Sequence, residues 1–181
     1  RALVNTQAIC SILLLTEDSA KTAVDTVQAI SRELLKLVDP QTRTNRIRFE
    51  PLADAQASQV VRGNLWKSRS PNDRQKRVSL VRYIATKIME PDGFVFFYID
   101  GDTTWADREA SENVKKFNTE LRASVEPLVV HKLRETGNSD ALTTKLARLF
   151  AVVPFYSLEA WLYQNTRVAK EICHALHGLI P

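Results

Sequence analysis

The sequence predicts an α/β sandwich: a mostly parallel sheet of about four strands with helices on both faces. Two short runs, residues 12–15 and 94–99, are continuously apolar, as strands covered on both faces usually are. Segments with apolar residues at helical spacing follow each run, and alternating strands and helices are typical of a parallel sheet. Since 181 residues with 44% hydrophobic content supply one packed core, we expect a single domain over residues 1–181.

The first half of the chain is expected to form a strand, a helix and a weaker second strand. The first strand is predicted over residues 8–18, and apolar residues then recur every three or four positions over 20–38. Asp18 or Ser19 can cap this helix. The second strand, over residues 46–52, contains Pro51, which favours an edge strand.

The second half repeats the alternation. Ser70 followed by Pro71 begins a helix that ends before the turn at residues 91–93, and the buried strand 94–99 comes next. A long helical pattern follows, in which Pro127 is expected to kink or split the helix. A short helix from Leu142, a strand over 149–153 and a final pair of helices complete the predicted order.

The net charge of +4 is unevenly distributed along the chain. Residues 62–77 carry six basic residues against one acid, and they include a tryptophan. Cations displace counterions from a phosphate backbone, and an indole can stack on a base. The candidate nucleic-acid-binding residues are Lys21, Trp66, Arg69, Arg74, Lys76 and Arg77. The alternative interpretation is a solvated loop and helix start.

Acidic residues follow three of the four predicted strands. Glu17 and Asp18 follow the first strand, Asp100 and Asp102 the central one, and Glu159 the last. The carboxyl ends of parallel strands meet at one edge of a sheet, so we expect these groups to lie together. Two carboxylates about 4 Å apart repel by roughly 4 kcal/mol near a protein surface, and a divalent cation compensates this repulsion. An all-oxygen ligand set favours Mg²⁺ or Mn²⁺.

Each of these acids also has a structural interpretation. Glu17 and Asp18 lie where a helix begins, Glu159 lies in a first helical turn, and an Asp-Gly-Asp sequence is common in turns. The joint occurrence of the acids at three strand ends is what favours a metal centre.

Glu17 in "LLLTED" and Asp100 and Asp102 in "FYIDGD" resemble, in order and spacing, the Toprim domain of topoisomerases, primases and OLD-type nucleases. The resemblance implies metal-dependent cleavage of DNA or RNA phosphodiesters, with both aspartates holding the metal and Glu17 acting as general acid or base. The family usually has Gly after this Glu, where the present chain has Asp18. Either Glu17 or Asp18 is therefore the acid that reaches the metal.

The segment "PFYSLEAWLYQN", residues 154–165, resembles the late "sxEaWl" signature of RloB-like Toprim relatives from bacterial defence loci. The resemblance implies that Glu159 is a further site acid and that the chain is a nuclease of phage defence. By the same resemblance, relatives in defence systems often act beside an ATPase partner protein, and this chain cannot be that ATPase because it has no Gly-rich phosphate loop. A homo-oligomer is compatible with this interpretation.

Two other functions fit part of the same evidence. "YIDGDTT" resembles the Asp-x-Asp-x-Thr signature of haloacid-dehalogenase-type phosphatases, in which Asp100 would be the nucleophile and Asp102 the acid. That signature normally follows the first strand, whereas here it follows a later one. The other alternative is a non-catalytic Toprim-like interaction or sensor module.

Composition limits the cellular context. The sequence has no apolar stretch of the roughly 18 residues that a membrane span requires, so we expect no membrane association. With only two cysteines, the chain is expected to be cytoplasmic rather than a secreted disulfide scaffold. It begins with Arg1, which suggests a piece of a longer protein.

Overall fold

The protein contains a four-stranded, all-parallel sheet, which confirms the predicted α/β class. The computed structural model describes residues 10–16, 21–52, 54–62, 65–98 and 116–152. The strands are β1 (Cys10–Thr16), β2 (Ile47–Pro51), β3 (Gly93–Tyr98) and β4 (Leu149–Val152), in the spatial order β2-β1-β3-β4. Pro51 ends β2, which lies at one side of the described sheet, so the prediction of an edge strand is confirmed.

The final predicted pair of helices, from Ser157 onward, and the part of the long helical pattern before residue 116 lie outside the described residues. The helices that the structure describes include the other predicted ones and one that was not predicted. They are α1 (Lys21–Val38), α2 (Ala55–Arg62), α3 (Pro71–Met89), α4 (Ala123–Glu135) and α5 (Leu142–Leu146). Ser70 is the N-cap residue of α3 and Pro71 its first residue, as predicted. The α4 helix continues through Pro127, so it is not split there, and the irregular segment is a π-helical turn over Phe117–Arg122 just before it.

The unpredicted helix α2 begins at a side-chain cap. Asp54 Oδ1 accepts hydrogen bonds from the backbone N–H groups of Gln56 (2.8 Å) and Ala57 (3.1 Å). Its other oxygen accepts one from the Ser79 hydroxyl of α3 at 2.6 Å. These bonds satisfy donors that a helix start leaves unpaired, and they join α2 to α3.

The main hydrophobic core lies on one face of the sheet. Leu13, Leu15, Val95 and Phe97 alternate along β1 and β3 with side chains on this face, where they pack against α2, α3 and α4. Burial is nearly complete, since Leu13 and Val95 have 0% of their surface exposed. This core holds the two central strands rigidly in register.

The opposite face carries α1. Phe49 of β2 is in register with Ile12, whose side chain points away from the main core, and the guanidinium of Arg32 in α1 lies 4.8 Å from the Phe49 ring centre. Val27 of α1 is buried. Helices therefore lie on both faces, as predicted, and within the described residues no helix is long and apolar enough to cross a membrane.

Candidate functional site

Three strands end level with one another, at what we call the carboxyl edge of the sheet. Thr16 of β1 lies opposite Tyr98 of β3, and Tyr98 lies opposite Val152 of β4. The order of the strands reverses between β1 and β3, because β2 lies on one side of β1 and β3 on the other. Ligands of open parallel sheets bind at such a switch point, outside the carboxyl ends of the strands. The fold therefore favours a site beside Thr16 and Tyr98.

The acids predicted for the metal centre lie outside the described residues: Glu17, Asp18, Asp100, Asp102 and Glu159. In the sequence, Glu17 directly follows the last residue of β1, and Asp100 comes two positions after the last residue of β3. The part of the chain that the structure describes has no group of three or more His, Cys, Asp or Glu side chains able to hold a metal ion. The predicted metal centre therefore consists of residues that follow the described strands in the sequence.

A small pocket of about 130 Å³ also lies at the carboxyl edge, between the ends of β1 and β2. Leu14, Pro51 and Leu52 contribute to its apolar lining, and the hydroxyls of Thr16 and Ser58 are its only side-chain polar groups among the described residues. These groups offer no charged ligand for a cation.

Two of the predicted nucleic-acid-binding residues maintain the local structure of residues 62–77, which we call the basic segment. Arg77 Nη1 donates to the carbonyl oxygens of Leu65 (2.7 Å) and Ser68 (2.8 Å). Lys76 Nζ lies 3.4 Å from Asp73 Oδ1, and the Ser68 hydroxyl donates to Asp73 Oδ2 at 2.6 Å. Arg77 and the Ser68–Asp73 hydrogen bond thus tie the segment before α3 to the first turns of that helix, whereas Lys76 pairs with Asp73 within the helix.

The electrostatics of Asp73 agree with this role. The hydrogen bond from Ser68 holds the pKa of Asp73 below its ordinary value, against the effect of burial, and Lys76 lowers it further. Asp73 is therefore ionised at neutral pH and neutralises part of the local positive charge.

The other predicted cations face solvent. Arg69 is exposed just before α3, Arg74 is exposed in the first turn of α3, and Lys21 is exposed at the start of α1. Across the described ranges, none of these three side chains is in an ion pair. They are available to contact an anionic ligand.

Trp66 and Arg74 line a groove between α3 and α4, which we call the α3–α4 groove. Its volume is about 370 Å³, within the range of small-ligand sites. The lining residues are Trp66, Arg74, Arg77, Val78, Val81, Arg82, Glu120, Ser124 and Leu128.

An aromatic contact connects this groove to the carboxyl edge. The Trp66 ring packs edge-on against Phe97, with the ring centres 6.0 Å apart at 64°. Phe97 precedes Tyr98, the last residue of β3. The basic segment predicted from the sequence therefore lies near the edge where the acids are expected.

The sequence prediction missed Arg82 and Glu120 as lining residues of the groove. Arg74, Val78 and Arg82 recur at four-residue spacing, which places them on one face of α3 and is a detectable signal. Glu120 lies in the π-helical turn before α4, far away in sequence, and no local pattern pairs it with α3.

Among the described residues, the most buried charged side chain lies at the opposite edge of the sheet. Lys87 is 4% exposed, and its Nζ donates to Ser11 Oγ (2.9 Å), Glu50 Oε2 (2.7 Å) and Glu90 Oε2 (2.8 Å). Ser11 pairs with Gly93, the first residue of β3, so this network lies at the amino ends of the strands.

The network keeps Lys87 charged. Burial alone would lower the pKa of Lys87, but the hydrogen bonds from Lys87 to Glu50 and Glu90 outweigh it and raise that pKa above its ordinary value. A lysine held as an ammonium cannot act as a general base or nucleophile. Its position and charge indicate a role in stability.

Comparisons with protein-family models, curated proteins and solved structures gave no match to this chain.

Proposed function

We propose that this chain is a Toprim-like nuclease of phage defence that cleaves nucleic-acid phosphodiesters with Mg²⁺ or Mn²⁺. The observation that supports this most is the pairing of Thr16 with Tyr98 at the switch point of the sheet. Neighbouring strands lie about 4.8 Å apart. Glu17 follows Thr16 by one position in the sequence, and Asp100 follows Tyr98 by two. Both acids therefore come within two residues of strand ends that are neighbours in the sheet.

In this proposal, Asp100 and Asp102 bind the cation and Glu159 completes the site. Glu17 serves as general acid or base or as a further ligand, and Asp18 is the alternative acid. Magnesium typically takes one or two protein carboxylates and keeps water and phosphate as its other ligands. The cation would neutralise charge on the phosphate and lower the pKa of the attacking water.

The exposed cations support a polyanionic substrate. Lys21, Arg69 and Arg74 face solvent, and the α3–α4 groove adds Arg82. Phosphate contacts of this kind bind without sequence preference and weaken as salt concentration rises. An ATPase partner stays a prediction from the family resemblance.

A cleavage assay tests the proposal. The wild type, incubated with labelled DNA and RNA, is expected to cut with Mg²⁺ or Mn²⁺ and to stop when EDTA is added. The Asp100→Asn/Asp102→Asn variant is expected to lose at least about a hundredfold in rate, because the cation is no longer held. The matched control is Asp140→Asn, an exposed acid at the turn before α5, which should cut like the wild type.

The same assay, with a small phosphate monoester as an additional substrate, separates the two alternative functions. Hydrolysis of a small phosphate monoester without cleavage of nucleic acid would favour the phosphatase, in which Asp100 is the nucleophile. Absence of both activities, with nucleic acid still bound, would favour the non-catalytic module.

A further inference from the structure

We propose that the α3–α4 groove binds an unpaired nucleotide, so that the substrate engaged by this chain is single-stranded nucleic acid. This inference rests on the proposed nucleic-acid substrate and specifies its class. The charge, the lining residues and the shape of the groove support the inference.

The charge of the groove suits a phosphate on one side. Arg74, Arg77 and Arg82 line it, and Glu120 is the one acid among the lining residues that the structure describes. Arg77 already donates one nitrogen to backbone carbonyls, whereas Arg74 and Arg82 are exposed and have no ion-pair partner among the described residues. Guanidinium groups bind phosphate oxygens in bidentate fashion and also stack on bases.

The lining suits a nucleobase beside that phosphate. Val81 is 7% exposed, Leu128 is half-buried, and the indole of Trp66 completes an apolar wall. Packing on Phe97 fixes the position of Trp66, which therefore loses little freedom when a base stacks on it.

Glu120 distinguishes a base from a second phosphate. An ionised carboxylate only accepts hydrogen bonds, so it repels phosphate oxygens and pairs with the amino groups of bases. Glu120 lies in the π-helical turn, and single π turns are frequent at functional sites.

The shape favours a single strand over a duplex. The groove is a recess of about 370 Å³ between two helices. The bases of a duplex are stacked inside and are read by protein elements that protrude into its grooves, whereas an unpaired base can swing out into a recess.

Fluorescence anisotropy on the full chain in EDTA tests the inference. The probes are a labelled single strand of about 12 nucleotides, an abasic strand of the same length, and the matched duplex, each as DNA and as RNA. The base-bearing single strand should bind about tenfold more tightly than the abasic strand and the duplex, because only it fills the groove with a base.

Paired variants locate the binding site. Arg74→Ala/Arg82→Ala should weaken binding of the single strand about tenfold. The matched control, Arg43→Ala/Arg134→Ala, removes the same charge from exposed positions outside the groove and should have a much smaller effect. Equal binding of the three probes, or equal effects of the two double variants, would overturn the inference.

The outcome is independent of the metal chemistry. EDTA removes divalent cations, so the binding measured in it does not depend on a metal ion. If the chain holds no metal, we still expect binding in the groove, and only the nuclease proposal fails. Metal-dependent cleavage together with equal binding of the three probes would instead support the nuclease proposal and show that the groove does not recognise an unpaired base.

Discussion

Thr16 and Tyr98 face each other as the last residues of β1 and β3, the two central strands of the sheet. The residues that precede them are fixed by the core, since Leu15 is 1% and Phe97 is 4% exposed. A rigid platform of this kind can hold ligands for a metal ion with the precision that catalysis needs. In the sequence, Glu17 comes directly after Thr16, and Asp100 comes two positions after Tyr98.

Replacing Lys87 should destabilise the fold. Lys87→Met removes the buried cation that pairs with Glu50 and Glu90 and, among the described residues, leaves Glu50 paired only with the exposed Arg48, so we expect a loss of about 2 kcal/mol in the free energy of unfolding. Urea denaturation measures this loss.

The control for this variant is Lys36→Met. It breaks an ion pair with Glu33 whose two side chains are 47% and 67% exposed, and it should cost less than about 0.5 kcal/mol. Equal losses for the two variants would show that the buried network adds nothing.

The stability of the protein should fall in acid partly through Glu50. Burial raises the pKa of Glu50, but hydrogen bonds from Lys87 and Ser11 outweigh it and hold that pKa below its ordinary value of 4.5. The unfolded chain therefore binds more protons than the folded one between these two pKa values, and stability rises with pH there. The contribution is complete above about pH 4.5 and is lost as the pH falls through the folded pKa.

Urea denaturation from about pH 3 to 7 measures this dependence. The pKa of Asp54 is also lowered, above all by the hydrogen bond from Ser79, so the informative quantity is the difference between the wild type and Glu50→Gln. Glu50→Gln should be less stable than the wild type at pH 7 and approach it in acid. A difference that does not vary with pH would contradict the assignment.

Asp54 should contribute to stability as the cap of α2. Asp54→Ala removes the acceptor for the N–H groups of Gln56 and Ala57 and for the Ser79 hydroxyl, and it should cost about 1 to 2 kcal/mol. Asp54→Asn keeps one acceptor oxygen and should recover most of this loss in thermal unfolding. If the two variants melt together, the cap is not what stabilises α2.

The strands were predictable because their signals are local. β1 and β3 are continuous apolar runs, and Pro51 identified β2 as an edge strand, since each signal depends on consecutive residues. The α2 helix was missed because it is only eight residues long, although Asp54 before Ala55 is a recognisable cap.

The candidate site was predictable only in part, for the same reason. Acids after strand ends can be read from order alone, whereas the α3–α4 groove joins Arg82 to Glu120 from segments distant in sequence. Their meeting depends on how α3 and α4 pack through side chains such as Val81 and Leu128, which no local pattern specifies.

The metal centre is tested most directly by a calorimetric titration of Mg²⁺ and Mn²⁺ into the wild type and into Asp100→Ala/Asp102→Ala, with Asp140→Ala as the matched control. We expect binding to the wild type and the control, and loss of binding in the double variant. Absence of metal binding by the wild type even with nucleic acid present, or undiminished binding by the double variant, would contradict a metal centre at the carboxyl edge.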